Sequence, residues 1–123
     1  MNQQKREKTT RYFANQISDC KERARALSLD DRTDEAVFAK IETNVYEIFN
    51  SVFSVAVRTA QEDDQTLVQF FLTRIQQIPL NWQTALENAK QHGETEKVHV
   101  EQLKLDAVAA IKAEFEQIWE VNL

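Results

Sequence analysis

Residues 45–57, which read VYEIFNSVFSVAV, form the most apolar stretch of the chain and decide its fold. On a helical wheel at about 100° per residue, this stretch and the residues before it present one broad apolar face. The face consists of Phe38, Ile41, Val45, Ile48, Phe49, Val52, Phe53 and Ala56, and Val37, Tyr46, Val55 and Val57 widen it. The widened face spans roughly 200°, about twice what a surface helix needs. We therefore expect other helices to surround this one.

The composition of the 123-residue chain favours an all-α fold. It has one glycine and one proline, whereas a sheet needs many turn residues. The apolar stretch is too short to cross a bilayer, which takes about 20 residues. The chain opens with MNQQKREK rather than with an apolar leader. We expect a single domain over residues 1–123, located in the cytoplasm and without a membrane segment.

Three polar breaks divide the sequence into four helical segments. The first segment covers residues 3–27, and the second runs from the SLDDRTD break to about residue 61. The third covers about 65–91, and the fourth covers about 95–120 after His92 and Gly93. Segments of similar length joined by short connections predict an up-down-up-down antiparallel four-helix bundle.

Pro79 lies in the middle of the third segment, where a proline normally ends or kinks a helix. The apolar positions nevertheless keep their phase through it, in the series Leu67, Phe71, Ile75, Ile78, Trp82, Ala85 and Ala89. Because a loop has no reason to preserve that phase, we expect one helix kinked at Pro79. The alternative ends one helix at Gln77 or Ile78 and begins another with Asn81 as its N-cap.

The outer two segments have narrower apolar faces. The first segment offers Phe13, Ile17, Cys20, Ala24 and Leu27, and the fourth offers Val100, Leu103, Ala107, Ile111, Phe115 and Ile118, with Val108 and Trp119 at its edge. Cys20 is the only cysteine, so the chain forms no intramolecular disulfide. Its position on the apolar face indicates a small buried hydrophobic residue rather than a nucleophile.

Two pairs of charged residues interrupt the apolar faces. Counting residues from the loops places Glu42 and Lys104 at the same level of the second and fourth segments, which we expect to be diagonally opposed. We predict an interior Glu42–Lys104 pair, with Trp82 donating its indole N–H to the carboxylate. The same counting places Arg74 beside Glu114. Such pairs usually fix the order of helices rather than perform chemistry.

The sequence contains no catalytic motif, so we expect no enzyme activity, no catalytic residue, no cofactor and no metal. Glu96 and His99 form one Glu-x-x-His, an element that di-iron bundles use twice. His92 is the only other histidine, and a second copy of the element is therefore impossible. A di-metal carboxylate protein of the ferritin-like kind is kept only as an alternative.

Positive charge is concentrated in the first helix, although the chain as a whole has a net charge of −5. The candidate basic face contains Lys5, Arg6, Lys8, Arg11, Lys21, Arg23 and Arg25. Acidic residues elsewhere in the chain offer these cations internal partners, and direct nucleic-acid binding is not the expected function. A nucleic-acid-associated regulator that uses this helix is a further alternative.

Protein association is the function that the sequence favours. The candidate interface consists of Val55, Val57, Phe70, Leu72 and Leu80, which lie beside or at the edge of the core faces. Residues 52–57 and 67–72 meet near the second loop and place more apolar surface there than a four-helix interior requires. The alternative is that irregular helix rotation buries these side chains. We expect a non-enzymatic bundle that forms a homodimer or binds a helix of another protein.

Overall fold

In the computed structural model, residues 1–121 are described, and they form an all-α helical bundle. Within this range the chain has five helices and no strand, with the helices at α1 (Gln3–Leu29), α2 (Thr33–Ala60), α3 (Asp64–Gln77), α4 (Leu80–Gln91) and α5 (Thr95–Trp119). The predicted all-α bundle is confirmed. The first and fourth predicted segments match α1 and α5 within two residues, and the third, about 65–91, covers both α3 and α4. Across residues 1–121, none of the helices combines the length and apolar character that spanning a membrane requires.

Helices α1, α2, α3 and α5 alternate in direction. The start of α1 meets the start of α3, where Arg6 pairs with Asp64, and it also meets the end of α5, where Trp119 donates a hydrogen bond to Thr9 over 2.9 Å. Near the other end, the ring of Phe38 on α2 lies 4.5 Å from the ring of His99 on α5. These contacts define the up-down-up-down order.

Helix α2 is the centre of the bundle because it packs against α1, α3 and α5. The prediction placed the second and fourth segments on opposite corners of a square. In the structure α2 and α5 pack directly on each other, and more extensively than α1 and α5 do. Helix α4 packs mainly against α5 and is not one of the main neighbours of α2.

Polar side chains cap the N-termini of the first and third helices. The side-chain oxygen of Asn2 accepts the backbone N–H of Lys5, and Asp63 accepts the N–H groups of Gln65 and Thr66 at the start of α3. The Thr66 hydroxyl also donates to Asp63, and these hydrogen bonds hold the pKa of that carboxyl below its usual value. The predicted break between the second and third segments therefore contains an N-cap, Asp63.

The chain between α3 and α4 keeps right-handed helical backbone angles although its helical assignment is interrupted. Ile78 has φ −59° and ψ −43°, and Pro79 has φ −75° and ψ −4°. Helix α4 begins at Leu80, so Asn81 lies inside it and is not its N-cap. These angles fit both a bent helix and two successive helices, and the kink at Pro79 stays a prediction.

The largest core residues gather toward the α2–α3 loop. Phe71 is fully buried, its ring stacks on Phe115 with 4.2 Å between centroids, and it lies 6.1–6.3 Å from three further phenylalanines. Those three are Phe13, Phe49 and Phe53. We call residues 3–20, 45–77 and 107–119 the aromatic half of the bundle.

The opposite end, residues 21–44 and 78–106, is the polar half. Its buried apolar side chains are mostly small, namely Ala24, Ala36, Ala39, Leu86 and Ala89. Larger apolar side chains in this half, such as Phe38 and Leu103, are only partly buried. The helices therefore continue through both halves, but the buried apolar side chains include phenylalanines in the aromatic half and are mostly alanines in the polar half.

Three predicted positions differ from the structure. Ile48 was assigned to the inward face of α2, yet it is 39 % exposed. Val108 and Trp119 were assigned to the edge of the last helix, yet both are buried in the core. On α5 the buried side is rotated by a few tens of degrees from the predicted one, in line with the hydrogen bond from Trp119 to Thr9 and the stacking of Phe115 on Phe71. On α2 the apolar face is wider than its three neighbours cover.

Candidate functional site

The outward side of α2 carries a line of uncharged side chains, which we call the exposed stripe. It consists of Val37, Asn44, Ile48, Ser51 and Val55. The three apolar members are 45 %, 39 % and 37 % exposed in chain order. Spacings of eleven and seven residues bring them within about 20° of one another on the helix. The stripe extends about 27 Å along α2 at about 1.5 Å per residue.

The packing of α2 explains why this side is uncovered. Its buried residues Val45, Phe49, Phe53 and Ala56 point toward α1, α3 and α5, which occupy the inward side. Helix α4, the remaining helix of the described range, packs mainly on α5. The stripe therefore faces away from every helix that packs on α2.

Two opposite charges, Lys40 and Glu47, lie on one flank of the stripe. They are exposed, seven residues apart, and on the same side of α2. In the part of the chain that the structure describes, neither takes part in a salt bridge. Both line a shallow groove between α1 and α2, and Lys21 and Arg25 lie on its other wall. This flank is consequently more cationic than the protein as a whole.

The predicted interface residues have different environments. Leu72 is 8 % exposed and belongs to the core, so the prediction that it faces a partner is wrong. Phe70 and Val57 are partly buried against the core. Val55 lies in the exposed stripe, and Leu80, at the start of α4, is 55 % exposed. Leu72 is buried because α3 is enclosed on two sides, by α2 and by α5.

The predicted pair of Glu42 and Lys104 is wrong, because each residue has another partner. The Glu42 carboxylate accepts a hydrogen bond from Arg23 of α1 over 2.8 Å. The Lys104 ammonium lies 3.3 Å from the Glu101 carboxylate on its own helix. The Trp82 ring lies under that ammonium at 5.5 Å, instead of donating to Glu42. Counting residues gives the height of a side chain in a bundle but not its direction.

The second predicted pair, Arg74 and Glu114, is also not formed. Arg74 is exposed, donates to Gln77 over 3.1 Å and lies 4.7 Å from the centre of the Phe70 ring. Glu114 is half-buried on α5. The Arg74 side chain extends from α3 into solvent, so its guanidinium is hydrated and needs no interior partner.

Glu101 is a buried polar residue that the sequence interpretation missed. It is 7 % exposed, one carboxylate oxygen is 3.3 Å from Lys104, and the other has no hydrogen-bond partner among the described residues. The sequence does contain a signal for this burial, because Glu101 precedes Val108 and Phe115 at spacings of seven residues on one face of α5. Because Glu101 is charged, the sequence interpretation did not assign it to the core.

The predicted basic face is divided by internal ion pairs. Arg6 is buried and donates twice to Asp64, over 3.1 and 2.9 Å. Further pairs join Lys5 to Glu120 over 3.6 Å, Arg23 to Glu42, and Arg25 to Glu22. Lys8, Arg11 and Lys21 are exposed, and within residues 1–121 they form no salt bridge. A continuous seven-residue basic surface is therefore absent from the described structure.

Cys20 is 2 % exposed, in agreement with its predicted place in the core. Its sulfur accepts a weak hydrogen bond from Arg23 over 3.5 Å, and burial raises the pKa of the thiol. The other candidate for chemistry, His99, is exposed and packs edge-on against Phe38. Among the described residues, no three His, Cys, Asp or Glu side chains are grouped so that they could hold a metal ion.

No protein-family model, curated protein or solved structure matches the chain. The fold defines the class, which is an all-α helical bundle with an uncharged apolar stripe on its central helix. Because a helical bundle supports many functions, the function has to be argued from the surface of this chain.

Proposed function

We propose that this protein acts by binding a second copy of itself through the exposed stripe of α2, without enzymatic activity. The observation that supports this proposal most strongly is the exposure of Val37, Ile48 and Val55 in line on one helix. In a chain of which 28 % is charged, a line of uncharged side chains along 19 positions of an exposed helix face needs an explanation.

The physical driving force is the removal of apolar surface from water, worth roughly 25 cal/mol for each Å². Scattered single apolar residues on a surface are ordinary and need no partner. The stripe differs because its members are aligned, so a single straight helix can cover all of them together. A second α2 is such a helix, and two-fold dimers are the commonest soluble assemblies.

Nucleic-acid binding receives less support from the same coordinates. Four of the seven cations of the predicted basic face have acidic partners within the chain, at Asp64, Glu120, Glu42 and Glu22. Neutralising phosphates with these cations would require breaking pairs that already exist. The surface of α2 therefore gives the better-supported candidate function.

Sedimentation equilibrium of the purified chain tests the proposal. We expect the wild-type protein to be dimeric at micromolar concentrations and Ile48→Asp to be monomeric, because the substitution places a charge in the middle of the stripe. Gln83→Asp is the control, since Gln83 is exposed on α4, which packs mainly on α5 and lies away from the stripe. This control should dimerise like the wild type.

Circular dichroism shows whether either variant has lost its fold. Both positions are exposed, and surface substitutions usually change stability by less than about 0.5 kcal/mol. Equal helix content and equal melting temperatures would therefore attribute any change in mass to association alone. A wild-type chain that is monomeric at high micromolar concentration would reject the proposal.

A further inference from the structure

We infer that the two copies pair their α2 helices antiparallel, with the two-fold axis passing beside Asn44; this inference rests on the proposed self-association. In a two-fold interface the same surface serves both subunits, so it must be complementary to itself. The flank formed by Lys40 and Glu47 meets this condition, because it holds one charge of each sign and neither is neutralised within the described chain.

The spacing of the two charges fixes the position of the axis. When two antiparallel helices pack face to face, the same flank of each helix lies on the same side of the interface. An axis midway between residues 40 and 47 then brings Lys40 of each subunit beside the partner's Glu47. The two ion pairs are identical by symmetry, and the axis crosses α2 next to Asn44.

The same axis gives the uncharged residues of the stripe suitable neighbours. Ile48 reaches the level of residues 39–40 of the other helix, between the partner's Val37 and the partner's Ile41. Asn44 meets its own symmetry copy, and two carboxamides can donate and accept hydrogen bonds with each other. An asparagine at the centre of a helix pair is a known means of fixing register.

A parallel pair of α2 helices lacks this complementarity. In that arrangement, the flank with Lys40 and Glu47 lies beside the opposite flank of the other helix. At the corresponding levels that flank offers Ile41 and Val52, which carry no charge. Antiparallel pairing also brings the partner's Glu47 close to Lys21, which lies on the α1 wall of the groove and has no salt bridge within the described residues. The surface charges therefore favour the antiparallel arrangement.

Disulfide cross-linking of single-cysteine substitutions tests the position of the axis. Asn44→Cys should form a covalent dimer under mild oxidation, because its Cα atoms face each other close to the axis and a disulfide needs them within about 7 Å. Ser51→Cys is the matched control on the same exposed stripe. Its two copies would be about 22 Å apart along the helices, at about 1.5 Å per residue, and should not cross-link. The wild-type chain, with Cys20 buried, gives the background.

Exchange of the flanking charges supplies a second readout. Lys40→Glu and Glu47→Lys each place like charges across the interface twice, and each should weaken the dimer about tenfold. The double variant K40E/E47K restores opposite charges and should return the dissociation constant to within about twofold of the wild-type value. The effect of each single substitution should shrink at high salt.

The results separate this inference from the proposed function. A wild-type dimer in which Ser51→Cys cross-links as well as Asn44→Cys, or in which the double charge exchange does not recover affinity, overturns the antiparallel axis and leaves self-association standing. A monomeric wild-type chain overturns both.

Discussion

The aromatic half and the polar half of this bundle are built on the same continuous helices, yet they are packed differently. Phe71 in the aromatic half is fully buried among four phenylalanine rings. In the polar half, the buried apolar side chains are alanines and one leucine, and Trp82 is only partly buried. Helix formation alone therefore does not create a core; the size of the side chains at the inward positions does.

Each half also contains one buried charged residue, and the two are satisfied to different degrees. Arg6 in the aromatic half donates two hydrogen bonds to Asp64. Glu101 in the polar half has one contact, with Lys104, and one carboxylate oxygen without a partner. A buried charge with good partners holds elements together, whereas a poorly satisfied one lowers stability. We therefore expect stability to be concentrated in the aromatic half.

Phe71→Ala should have the largest effect. The substitution leaves a cavity surrounded by aromatic rings, and we expect the free energy of unfolding to fall by about 3–5 kcal/mol. Leu86→Ala in the polar half should cost less, about 2 kcal/mol, because Leu86 packs mainly between two helices near the surface. Urea denaturation followed by circular dichroism measures both. Equal losses for the two substitutions would contradict the difference between the halves.

Arg6→Met should have the next largest effect. It keeps the buried stem of the side chain but removes both hydrogen bonds to Asp64, which is left without its cation. Because the Asp64 side chain is 28 % exposed and can be hydrated in part, we expect a loss of about 2 kcal/mol rather than the full cost of an isolated buried charge. Lys8→Met on the exposed side of the same helix is the control and should change stability by less than about 0.5 kcal/mol.

Glu101→Met should have a smaller effect of the opposite sign. It removes a buried carboxylate oxygen that has no partner and replaces it with an apolar side chain of similar length. The Lys104 side chain is 24 % exposed, so its ammonium can turn to water. We expect the free energy of unfolding to stay equal or to rise by up to about 1 kcal/mol. A clear decrease, measured in the same urea titration, would mean that Glu101 has a partner that makes it stabilising.

The pH dependence should be the smallest effect. Burial raises the pKa of both Tyr12 and Tyr46, which lie against each other with 6.3 Å between ring centroids. Above pH 10 the unfolded chain loses these protons while the folded chain retains them, so stability is complete below that pH and falls as the pH rises. Tyr12→Phe should reduce this loss in thermal melts recorded between pH 8 and 11. An unchanged slope in the variant would count against the assignment to Tyr12.

Much of the fold was predictable from the sequence because apolar periodicity determines where helices run and which side is buried. Phe13, Phe49, Phe71 and Phe115 were all correctly placed in the core. The errors concern direction around a helix. On α5, the face through Val100, Leu103 and Ala107 and the face through Glu101, Val108 and Trp119 lie roughly 120° apart at about 100° per residue. The first contains no charge, so the prediction assigned it to the inward side.

The candidate site was less predictable for a related reason. A long charged side chain binds the nearest opposite charge on an adjacent helix, as Glu42 does with Arg23, and the adjacency depends on packing that periodicity does not contain. The exposure of Ile48 also depends on packing. Ile48 is exposed because the apolar face of α2 is wider than its three neighbouring helices can cover. Arg6 did carry a usable signal, since it lies seven residues before Phe13 on the same face of α1.

Hydrogen exchange measured by mass spectrometry at two protein concentrations tests the whole account most directly. At low concentration, where the chain is monomeric, amides of the polar half should exchange through partial opening while those of residues 45–60 and 107–119 exchange only on global unfolding. At high concentration, residues 37–44 of α2 should gain protection, because they open partially in the monomer and belong to the part of α2 that the proposed partner covers. Uniform protection of both halves, with no dependence on concentration, would contradict both the unequal halves and the association through α2.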